Sequence, residues 1–437
     1  MSEKRYDYLI LGNSTAAIAA VEAIRTVDQN GSLAVVSDQP NHVYSAPLIT
    51  YVLAGKIPEE KLYLRPRDFY QALNVDTYFG VPATQIKREA HEVILQSGAT
   101  LGYGKLLLAT GGTPIVPPLP GADLQGVFTF TRHDDMCRVR EFIQQKKVTQ
   151  AVIIGGGMIG IKVAEAFAAL KLETTIVELM DRVLAQALDE TGSAMAKRAL
   201  EQHGVRVITG SGVTAIGGTD GVVQSVTLDS GSRLPAQLVI MAVGVRPNVA
   251  LAHEAGLTVN RGVVVDDKMQ TNDPDIFAAG DVAEAYDPLL GECRPIAIWP
   301  GAHMQGETAG LNMAGQLEEY GGNIPMNSIQ VCGLPTISVG LISPPEGAET
   351  LEYRSPDGKS YRRMFIVNNR IVGAVFVGDI DRAGIITGLI RQAIDVSSFK
   401  AKLMQRDLGL LSLPKHYRKH IVSGPGIEVL GPRPGRR

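Results

Sequence analysis

A short strand, a glycine-rich turn and the start of a helix follow one another in Ala151-Val152-Ile153-Ile154-Gly155-Gly156-Gly157-Met158-Ile159-Gly160. The first four residues form an apolar run that is typical of a buried strand in a parallel sheet. In a G-x-G-x-x-G turn, the first glycine permits a tight bend, the second lets backbone approach a pyrophosphate, and the third lets helix pack on strand. The stretch therefore predicts a dinucleotide-binding β-α-β unit, in which Met158 and Ile159 open a helix whose N-terminus faces the phosphate.

A carboxylate completes this motif. Glu178 ends the next apolar run, residues 174–177. A carboxylate at this place accepts hydrogen bonds from ribose hydroxyls and repels a 2′-phosphate, which favours NAD over NADP. Arg182 lies close by and weakens this preference slightly.

An earlier segment repeats the plan in a weaker form. Apolar runs at residues 8–11 and 33–36 flank a predicted helix over 16–25, and the turn between them is Gly12-Asn13-Ser14-Thr15-Ala16-Ala17. Gly12 keeps the first glycine position, Ser14 stands at the second and Ala17 at the third, where alanine is acceptable. By itself this turn fits a packing role as well as a phosphate site lined by Gly12, Ser14, Thr15 and Ala16. Asp38, just after the second run, is the candidate ribose ligand.

The two copies indicate an α/β chain with two Rossmann-like, three-layer nucleotide-binding domains. Apolar runs at residues 105–112 and 238–244 each lead into prolines, so the second domain is predicted to be inserted into the first. We expect a discontinuous first domain over 1–113 and 248–320, a second over 114–247, and a C-terminal α+β domain over 321–437. Residues 329–341, 350–353, 361–367 and 371–377 alternate like antiparallel strands, a helix is predicted over 381–394, and residues 424–437 read as a loose tail.

Composition excludes several function classes. The formal net charge of −3 argues against a nucleic-acid binder and against attachment to anionic lipid. No apolar stretch is long enough to span a bilayer, and the N-terminus lacks the apolar core of a signal peptide, so a cytoplasmic location is expected. Cys137, Cys293 and Cys332 are far apart and form no zinc or redox-disulfide spacing. We therefore expect free thiols and no metal.

Five motifs occur in one order along residues 5–380, namely the Gly12 turn, Ala109-Thr110-Gly111, the 155–160 turn, Val243-Gly244 with Pro247-Asn248, and Phe277-Ala278-Ala279-Gly280-Asp281. This set resembles the FAD- and NAD(P)H-dependent pyridine nucleotide-disulfide oxidoreductase superfamily. Within it, the chain is most similar to the branch of NADH oxidases, rubredoxin reductases and ferredoxin reductases. The resemblance implies an FAD domain split around an NAD domain, and a C-terminal interface domain that supports a homodimer.

The same resemblance assigns residues to the two cofactors. It implies that Gly280 and Asp281 bind FAD, where a carboxylate can accept a hydrogen bond from a ribityl hydroxyl. NADH is expected at Gly155, Gly157, Gly160 and Glu178. Trp299, the only tryptophan, either lines the isoalloxazine ring or belongs to the core.

The absence of redox cysteines separates this chain from many members of the superfamily. The disulfide reductases carry CxxxxC on the first helix of the FAD domain, and this chain has no such pair. Members with one redox cysteine carry it shortly before a segment that aligns with Tyr51-Val52-Leu53-Ala54-Gly55, which places Pro47 at the cysteine position. No thiol relay is therefore expected beside the flavin, so neither a disulfide substrate nor peroxide reduction through a sulfenic acid is expected.

A second departure concerns charge near the nicotinamide. Ferredoxin-reductase-like members pair a Glu two residues after the last glycine with a Lys of an Arg-Pro-Pro-Leu-Ser-Lys segment. Here the Glu has become Lys162 and the Lys has become Tyr51. We predict that Lys162 supplies a positive charge beside the flavin from the opposite domain. The alternative is an ordinary solvated helix lysine.

Weaker candidates lie in loops. His42 and Tyr44 are candidates for the face at which the flavin is re-oxidised. The simpler alternative is that they are surface residues. Arg65 and Arg67 pair either with an FAD phosphate or with Asp68 and Glu60. The basic tail residues suit an acidic partner or a solvated face, and they are Lys415, Arg418, Lys419, Arg433, Arg436 and Arg437.

The resemblance and the missing cysteine together imply an NADH-dependent flavoprotein oxidoreductase. It is expected to pass electrons through FAD to a one-electron carrier such as ferredoxin or rubredoxin, in either direction. One alternative is an NADH oxidase that reduces oxygen to peroxide. Another is a redox-sensing or scaffold flavoprotein similar to relatives of apoptosis-inducing factor. The sequence specifies neither the acceptor nor the direction of electron flow.

Overall fold

The fold is described by a computed structural model over residues 4–405 and 408–414. The chain divides into two compact units. Unit one is Met1–Val183 with Leu200–Ile324, and unit two is Leu184–Ala199 with Pro325–Arg437. The loose tail predicted over 424–437, and the basic residues predicted from Lys415 onward, lie outside the described residues.

The strands of unit one belong to five sheets. In chain order they are β1 (Lys4–Leu11), β2 (Leu33–Ser37), β3 (Val75–Phe79), β4 (Ala83–Lys87), β5 (Glu92–Leu95), β6 (Thr100–Leu108), β7 (Gly112–Pro114), β8 (Val127–Thr129), β9 (Gln150–Ile154), β10 (Glu173–Glu178), β11 (Val205–Thr209), β12 (Val213–Thr219), β13 (Val222–Leu228), β14 (Arg233–Pro235), β15 (Leu238–Met241), β16 (Val245–Pro247), β17 (Val263–Val264), β18 (Ile276–Ala278), β19 (Ala283–Asp287) and β20 (Glu292–Arg294).

The α-helices alternate with these strands, and α6 begins in unit two. They are α1 (Thr15–Val27), α2 (Ile49–Leu53), α3 (Phe69–Ala72), α4 (His133–Lys146), α5 (Met158–Ala169), α6 (Glu190–Gln202), α7 (Ala250–Glu254) and α8 (Trp299–Met313). Short 3-10 helices are found at Ala46–Leu48 and Glu59–Leu62.

The first sheet has the strand order β3-β2-β1-β6-β5-β4, and β18 pairs with the end of β6. The apolar residues of β1 are buried on both faces, which suits a central strand with parallel neighbours. Leu11 of β1 stands opposite Leu108 of β6. The carboxyl ends of these two strands therefore meet at one edge, where the chain continues into Gly12 and Ala109.

The second sheet is entirely parallel, with the order β11-β10-β9-β15-β8. Ile154 and Met241 are aligned where β9 and β15 end, and Glu178 ends β10 beside them. A two-stranded antiparallel ribbon of β7 and β16 stands outside both sheets, with Gly112 opposite Pro247. The ribbon lies at the two places where the prolines predicted a crossing between domains.

Small residues bring α1 and α8 close together. A Cβ atom added at Gly306 would lie 2.1 Å from the carbonyl oxygen of Ala16, and one at Gly310 would lie 2.6 Å from that of Ala20. Only glycine fits such a close approach. Replacing Gly306 or Gly310 with any other residue would therefore force the two helices apart. This packing holds the first turn of α1 against α8.

Unit two contains a five-stranded antiparallel sheet of order β21-β22-β25-β24-β23, and a helix packs on it. Its elements are β21 (Met326–Val331), β22 (Leu334–Gly340), β23 (Glu349–Arg354), β24 (Tyr361–Val367), β25 (Arg370–Val377), α9 (Ala383–Arg391) and the 3-10 helices Lys400–Lys402 and Leu410–Ser412. The prediction of one strand over 329–341 is wrong. Cys332 and Gly333 have φ values of 47° and 85°, which turn the chain into a hairpin. The helix is also shorter than predicted.

The predicted fold class is confirmed, with parallel Rossmann-like sheets followed by an antiparallel C-terminal domain. The boundaries of three domains stay a prediction. Among the described residues, no helix combines the length and apolar character that a membrane crossing requires.

Candidate cofactor sites

The first nucleotide turn brings Gly12 against Ala109. Gly12 has a φ of +119°, and a Cβ atom there would lie 2.0 Å from the carbonyl oxygen of Ala109. Only glycine adopts this conformation at so close an approach. Two predicted site residues from distant segments therefore meet at the carboxyl edge of the sheet, which is where open α/β folds bind ligands.

The start of α1 presents groups suited to a phosphate or a hydroxyl. Ser14 is the N-cap residue, is exposed, and makes no side-chain capping bond. Thr15 and Ala16 follow it and are buried. The chain therefore leaves the N–H groups of this first turn without the usual cap, as a helix N-terminus that holds an anion requires.

The Gly280-Asp281 loop lies beside α1 and α8. Gly280 has a φ of +82°, and a Cβ atom there would lie 3.3 Å from the Ala16 Cβ and 3.5 Å from the Ala302 Cβ. Its N–H donates to Oε1 of Gln305 at 2.8 Å. Burial raises the pKa of Asp281 above its usual value. Within the described part of the chain, its carboxylate has no hydrogen-bond donor, so a hydroxyl group would satisfy it.

Among the residues that the structure describes, buried polar atoms without a hydrogen-bond partner lie at three helix starts. The hydroxyl of Thr15 is in the first turn of α1, and that of Thr50 is in the first turn of α2. The amide nitrogen of Asn323 is the third, and a Cβ atom on Gly301 in the first turn of α8 would lie 2.2 Å from it. A polar cofactor bound between these starts would supply the missing partners, so the residues present fit FAD. Sequence patterns gave no signal for Thr50 or Asn323.

The other residues predicted to bind FAD have mixed surroundings. Thr110 donates to the backbone oxygen of Asn248, and Gly111 accepts from its N–H, which ties two family motifs together. Pro47 lies in the 3-10 helix just before α2. Asp38 accepts a hydrogen bond from Arg132 at 2.6 Å, so a ribose would share this carboxylate. Trp299 begins α8 and is 43% exposed, so the core alternative for it is wrong.

The second nucleotide turn has the geometry its glycines predict. Gly155 has a φ of +111°, and a Cβ atom there would lie 2.3 Å from the backbone oxygen of Ala242. A Cβ atom on Gly160 would lie 2.0 Å from the oxygen of Gly155. Gly157, the N-cap of α5, has open space where a Cβ would be, which leaves room for a pyrophosphate.

Glu178 is held at the edge of this turn. Its carboxylate accepts hydrogen bonds from the N–H groups of Gly156 at 2.5 Å and Met180 at 2.8 Å. Arg182 pairs with Asp181 at 2.8 Å. The glutamate is thus positioned to meet a ribose, while the nearby arginine already has an anionic partner. Exposed apolar side chains of the same turns offer a surface to a nucleotide, and they are Met158, Leu179, Met180 and Val243.

Lys162 and Tyr51 come together between the two turns. The ammonium nitrogen of Lys162 lies 4.8 Å from the centre of the Tyr51 ring. Lys162 also forms an ion pair with Glu165, three residues along α5. The lysine side chain is only 17% exposed, so the alternative of a solvated lysine is wrong. Sequence reasoning missed Glu165, although its spacing places it on the same helix face as Lys162.

Some of the weaker predictions need correction. Arg65 pairs with Glu22 at 2.6 Å, rather than with Asp68 or Glu60. His42 and Tyr44 are half-buried rather than on the surface, because each packs against another aromatic ring. The hydroxyl of Tyr44 also accepts a hydrogen bond from the N–H of His133 at 2.9 Å.

Comparison with known families covers most of the chain. Residues 6–306 match the family described as pyridine nucleotide-disulphide oxidoreductase. Residues 325–394 match the rubredoxin NAD⁺ reductase C-terminal domain. The two matches correspond to the sequences that carry the nucleotide turns and the antiparallel sheet.

Individual relatives agree with the family match. The chain is 31% identical over 406 residues to the NADH-dependent phenylglyoxylate dehydrogenase subunit epsilon of Aromatoleum evansii, covering 92% of this chain and 96% of that protein. It is 34% identical over 318 residues to putidaredoxin reductase of Pseudomonas putida, covering 71% and 74%. The structure of NADH:rubredoxin oxidoreductase from Clostridium acetobutylicum is similar with a TM-score of 0.75 and 26% identity, over 91% and 98% of the two chains. The chain spans about half the length of some other curated relatives.

Proposed function

This chain belongs to the pyridine nucleotide-disulphide oxidoreductase family, and we propose that it oxidises NADH and passes the electrons through FAD to a one-electron carrier protein. Members of this family are flavoprotein oxidoreductases that use a pyridine nucleotide, so the chain is an enzyme. The choice of NADH, the nature of the carrier and the roles of individual residues are our proposal.

The observation that carries the proposal is the contact between α2 and α5. α5 opens with the second glycine turn, and α2 directly follows the helix that contains Pro47. Because Lys162 of α5 lies against Tyr51 of α2, a ring bound beside Pro47 and a nucleotide on the second turn would meet here. Holding two reactants within reach of each other is one of the contributions that a protein makes to hydride transfer.

Each nucleotide has its own set of residues in this proposal. FAD would be held at the carboxyl edge of the first sheet by Gly12, Ser14, Thr15, Ala16, Asp38, Pro47, Ala109, Thr110, Gly111, Gly280, Asp281 and Trp299. NADH would be held on the second sheet by Gly155, Gly157, Met158, Ile159, Gly160, Glu178, Val243 and Gly244. When bound, FAD would supply the redox chemistry, since it accepts a hydride as two electrons and releases electrons singly.

Lys162 would act through its charge. A cation near the reacting rings favours the build-up of negative charge that accompanies reduction. Glu165 moderates this effect, because its carboxylate pairs with the same ammonium group. Tyr51 would position the lysine, since the face of an aromatic ring attracts a cation. This arrangement would replace the Glu and Lys pair expected for ferredoxin reductases.

The proposed acceptor is a carrier of the ferredoxin or rubredoxin type. Pro47 provides no thiol at the position where some members of the family are expected to carry a redox-active cysteine. A disulfide substrate is therefore disfavoured. Putidaredoxin reductase and NADH:rubredoxin oxidoreductase, both similar to this chain, are named for carrier proteins. An iron-sulfur partner protein is a further candidate for the carrier. The similar protein from Aromatoleum evansii is named as a subunit of a dehydrogenase, so such a partner would be compatible with a larger complex. A homodimer and a cytoplasmic location stay predictions.

The proposal is tested with the purified, FAD-loaded chain under anaerobic conditions. NADH should bleach the flavin absorbance, and mixing in a stopped-flow instrument with ferredoxin or rubredoxin should restore it rapidly. Rapid return with oxygen alone would support the NADH oxidase alternative. Slow return with every acceptor, together with redox-dependent dimerisation, would support the scaffold alternative.

A further inference from the structure

Three side chains of metal-ligand type meet away from both glycine turns. Glu59 begins a 3-10 helix, while His133 and Cys137 lie one turn apart on α4. His133 Nε2 lies 2.8 Å from Oε1 of Glu59 and 4.0 Å from Sγ of Cys137. One ligand atom from each residue lies within 4.8 Å of the others. Motif spacing does not predict this cluster, because Glu59 is far from the other two residues along the chain.

The spacing suits a tetrahedral ion. Zinc takes sulfur, imidazole nitrogen and carboxylate oxygen as ligands, at about 2.0–2.3 Å. Around such an ion, neighbouring ligand atoms would stand about 3.3–3.7 Å apart. The separations from His133 Nε2 are 2.8 and 4.0 Å, and the oxygen and sulfur ligands lie within 4.8 Å of each other, so side-chain shifts of about 1 Å would close the site.

The cluster is already anchored for binding. His133 is 7% exposed, and its imidazole lies edge-on to the Tyr44 ring at 5.8 Å. The Glu59 carboxylate already has two partners that hold it at the cluster, His133 at 2.8 Å and Arg140 at 3.2 Å. Cys137 is half-buried. Coordination to a cation would release the proton of its thiol to solvent.

An arginine now takes the place that a metal ion would take. Arg140 donates from Nη1 to Oε2 of Glu59 at 3.2 Å and from Nη2 to Sγ of Cys137 at 3.8 Å. Its side chain is 40% exposed, so it is able to swing into solvent. A divalent ion with one thiolate and one carboxylate is electrically neutral, as is the present pair of Glu59 and Arg140. The exchange therefore leaves no buried net charge.

Asn41 is placed to form the outer hydrogen bond that orients a metal-bound histidine. Its Nδ2 lies 3.3 Å from Nδ1 of His133, and its Oδ1 is buried without a partner among the described residues. A metal-bound histidine normally donates its other ring N–H to an oxygen. Turning the Asn41 amide over would let Oδ1 accept from Nδ1.

We propose that Glu59, His133 and Cys137 form a binding site for Zn²⁺ or a similar divalent cation, with Asn41 supporting the histidine. The ion is bound through the Glu59 carboxylate, His133 Nε2 and the Cys137 thiolate, and solvent completes the coordination. It ties the segment that follows α2 to the first turns of α4. This site lies beyond the proposed NADH oxidation and does not depend on it.

The test is calorimetric titration of the FAD-loaded full chain, freed of metal by chelation, with Zn²⁺ alone. One ion should bind. Glu59→Gln and Cys137→Ser should weaken binding by about 100-fold or more, and Asn41→Ala by about 10- to 100-fold. Cys293→Ser is the matched control, because Cys293 is exposed and does not belong to the cluster, and this variant should bind zinc as the parent chain does.

Arg140→Gln separates a metal site from a simple ion-pair cluster. Removing the competing guanidinium should tighten zinc binding several-fold if the proposal holds. Zinc should also protect Cys137 from alkylation, as mapped by mass spectrometry, while Cys293 stays reactive. No binding to the parent chain, or equal binding by the parent and Cys137→Ser with matched FAD content, would overturn the proposal.

Discussion

The ammonium nitrogen of Lys162 lies 4.8 Å from the centre of the Tyr51 ring, so a cation from α5 sits against an aromatic face from α2. These residues stand where ferredoxin-reductase-like relatives are expected to carry an acid and a lysine, respectively. In our proposal, the cation therefore comes from α5 instead of α2, and Glu165 on the same helix forms an ion pair with it. The ion pair lies within one helix, and a cation–aromatic contact connects α5 to α2.

Replacing Lys162 with Met should slow reduction of the flavin by NADH about tenfold, because a favourable charge beside the reacting rings is lost. Glu165→Gln should raise the reduction potential of the flavin, because the lysine charge is then less neutralised. Stopped-flow absorbance and a redox titration measure the two quantities. Lys56→Met is the matched control, since Lys56 lies 5.8 Å from the same ring but is exposed. Unchanged reduction kinetics in Lys162→Met would contradict the assigned role.

Gly157→Ala should separate nucleotide binding from folding. The φ of Gly157 is −76°, and nothing lies within 4 Å of the added Cβ, so an alanine fits without a clash. Restricting the unfolded chain favours the variant, whereas alanine is a poorer N-cap residue than glycine, so the free energy of unfolding should change by less than about 1 kcal/mol. The methyl group would fill the space proposed for the pyrophosphate, so NADH affinity should fall about tenfold or more.

Fluorescence titration and thermal unfolding measure both effects of Gly157→Ala. Gly384→Ala on α9 is the control, because its Cβ also meets open space in a helix. If Gly157→Ala and Gly384→Ala bind NADH with equal affinity, the open space at Gly157 does not hold the pyrophosphate.

Glu178→Ser should shift the choice of nucleotide. Its carboxylate, fixed by the N–H groups of Gly156 and Met180, is the proposed acceptor for the ribose hydroxyls. We expect kcat/KM for NADH to fall about tenfold and the NADPH to NADH ratio to rise. Glu173→Gln, at the other end of the same strand, removes an equal charge and should leave the ratio unchanged. Steady-state kinetics with both nucleotides decide between these outcomes.

Asp281→Asn should stabilise the cofactor-free chain while weakening FAD binding. Burial raises the folded-state pKa of Asp281, so the folded chain holds this proton more tightly than the unfolded chain does. The parent therefore loses stability as pH rises from the unfolded pKa to the folded pKa, and the full cost persists above it. At neutral pH the variant should be more stable by about 1 kcal/mol, and this gain should vanish in acid.

The same variant should bind FAD about tenfold more weakly, because a charged acceptor for the ribityl chain is lost. Thermal unfolding across pH and flavin titration of the cofactor-free chain give the two results. A variant that gains no stability at neutral pH would show that the carboxylate is not costly in the folded chain.

Local patterns in the sequence were sufficient to predict the two turns. The positive φ values at Gly12 and Gly155, and the place of Glu178 at a strand end, follow from residues close together along the chain. The hairpin at Cys332 and Gly333 was missed although Gly333 and Pro335 interrupt the alternation, because the prediction weighed the apolar residues on both sides and not these two turn signals.

Contacts between distant segments were beyond such reasoning. The pairing of Arg65 with Glu22 depends on how a loop returns to α1, and the meeting of Glu59 with His133 depends on how that segment packs against α4. Periodicity and motif spacing carry no information about such distances. The roles of the predicted cofactor residues likewise stay predictions until nucleotides are bound.

The most direct measurement of the central claim is the anaerobic titration of the FAD-loaded chain with NADH, followed by rapid mixing with a one-electron carrier. One equivalent of NADH should bleach one equivalent of flavin, and ferredoxin or rubredoxin should restore the absorbance much faster than oxygen does. A flavin that NADH leaves oxidised, or that no carrier re-oxidises faster than oxygen does, would contradict the account.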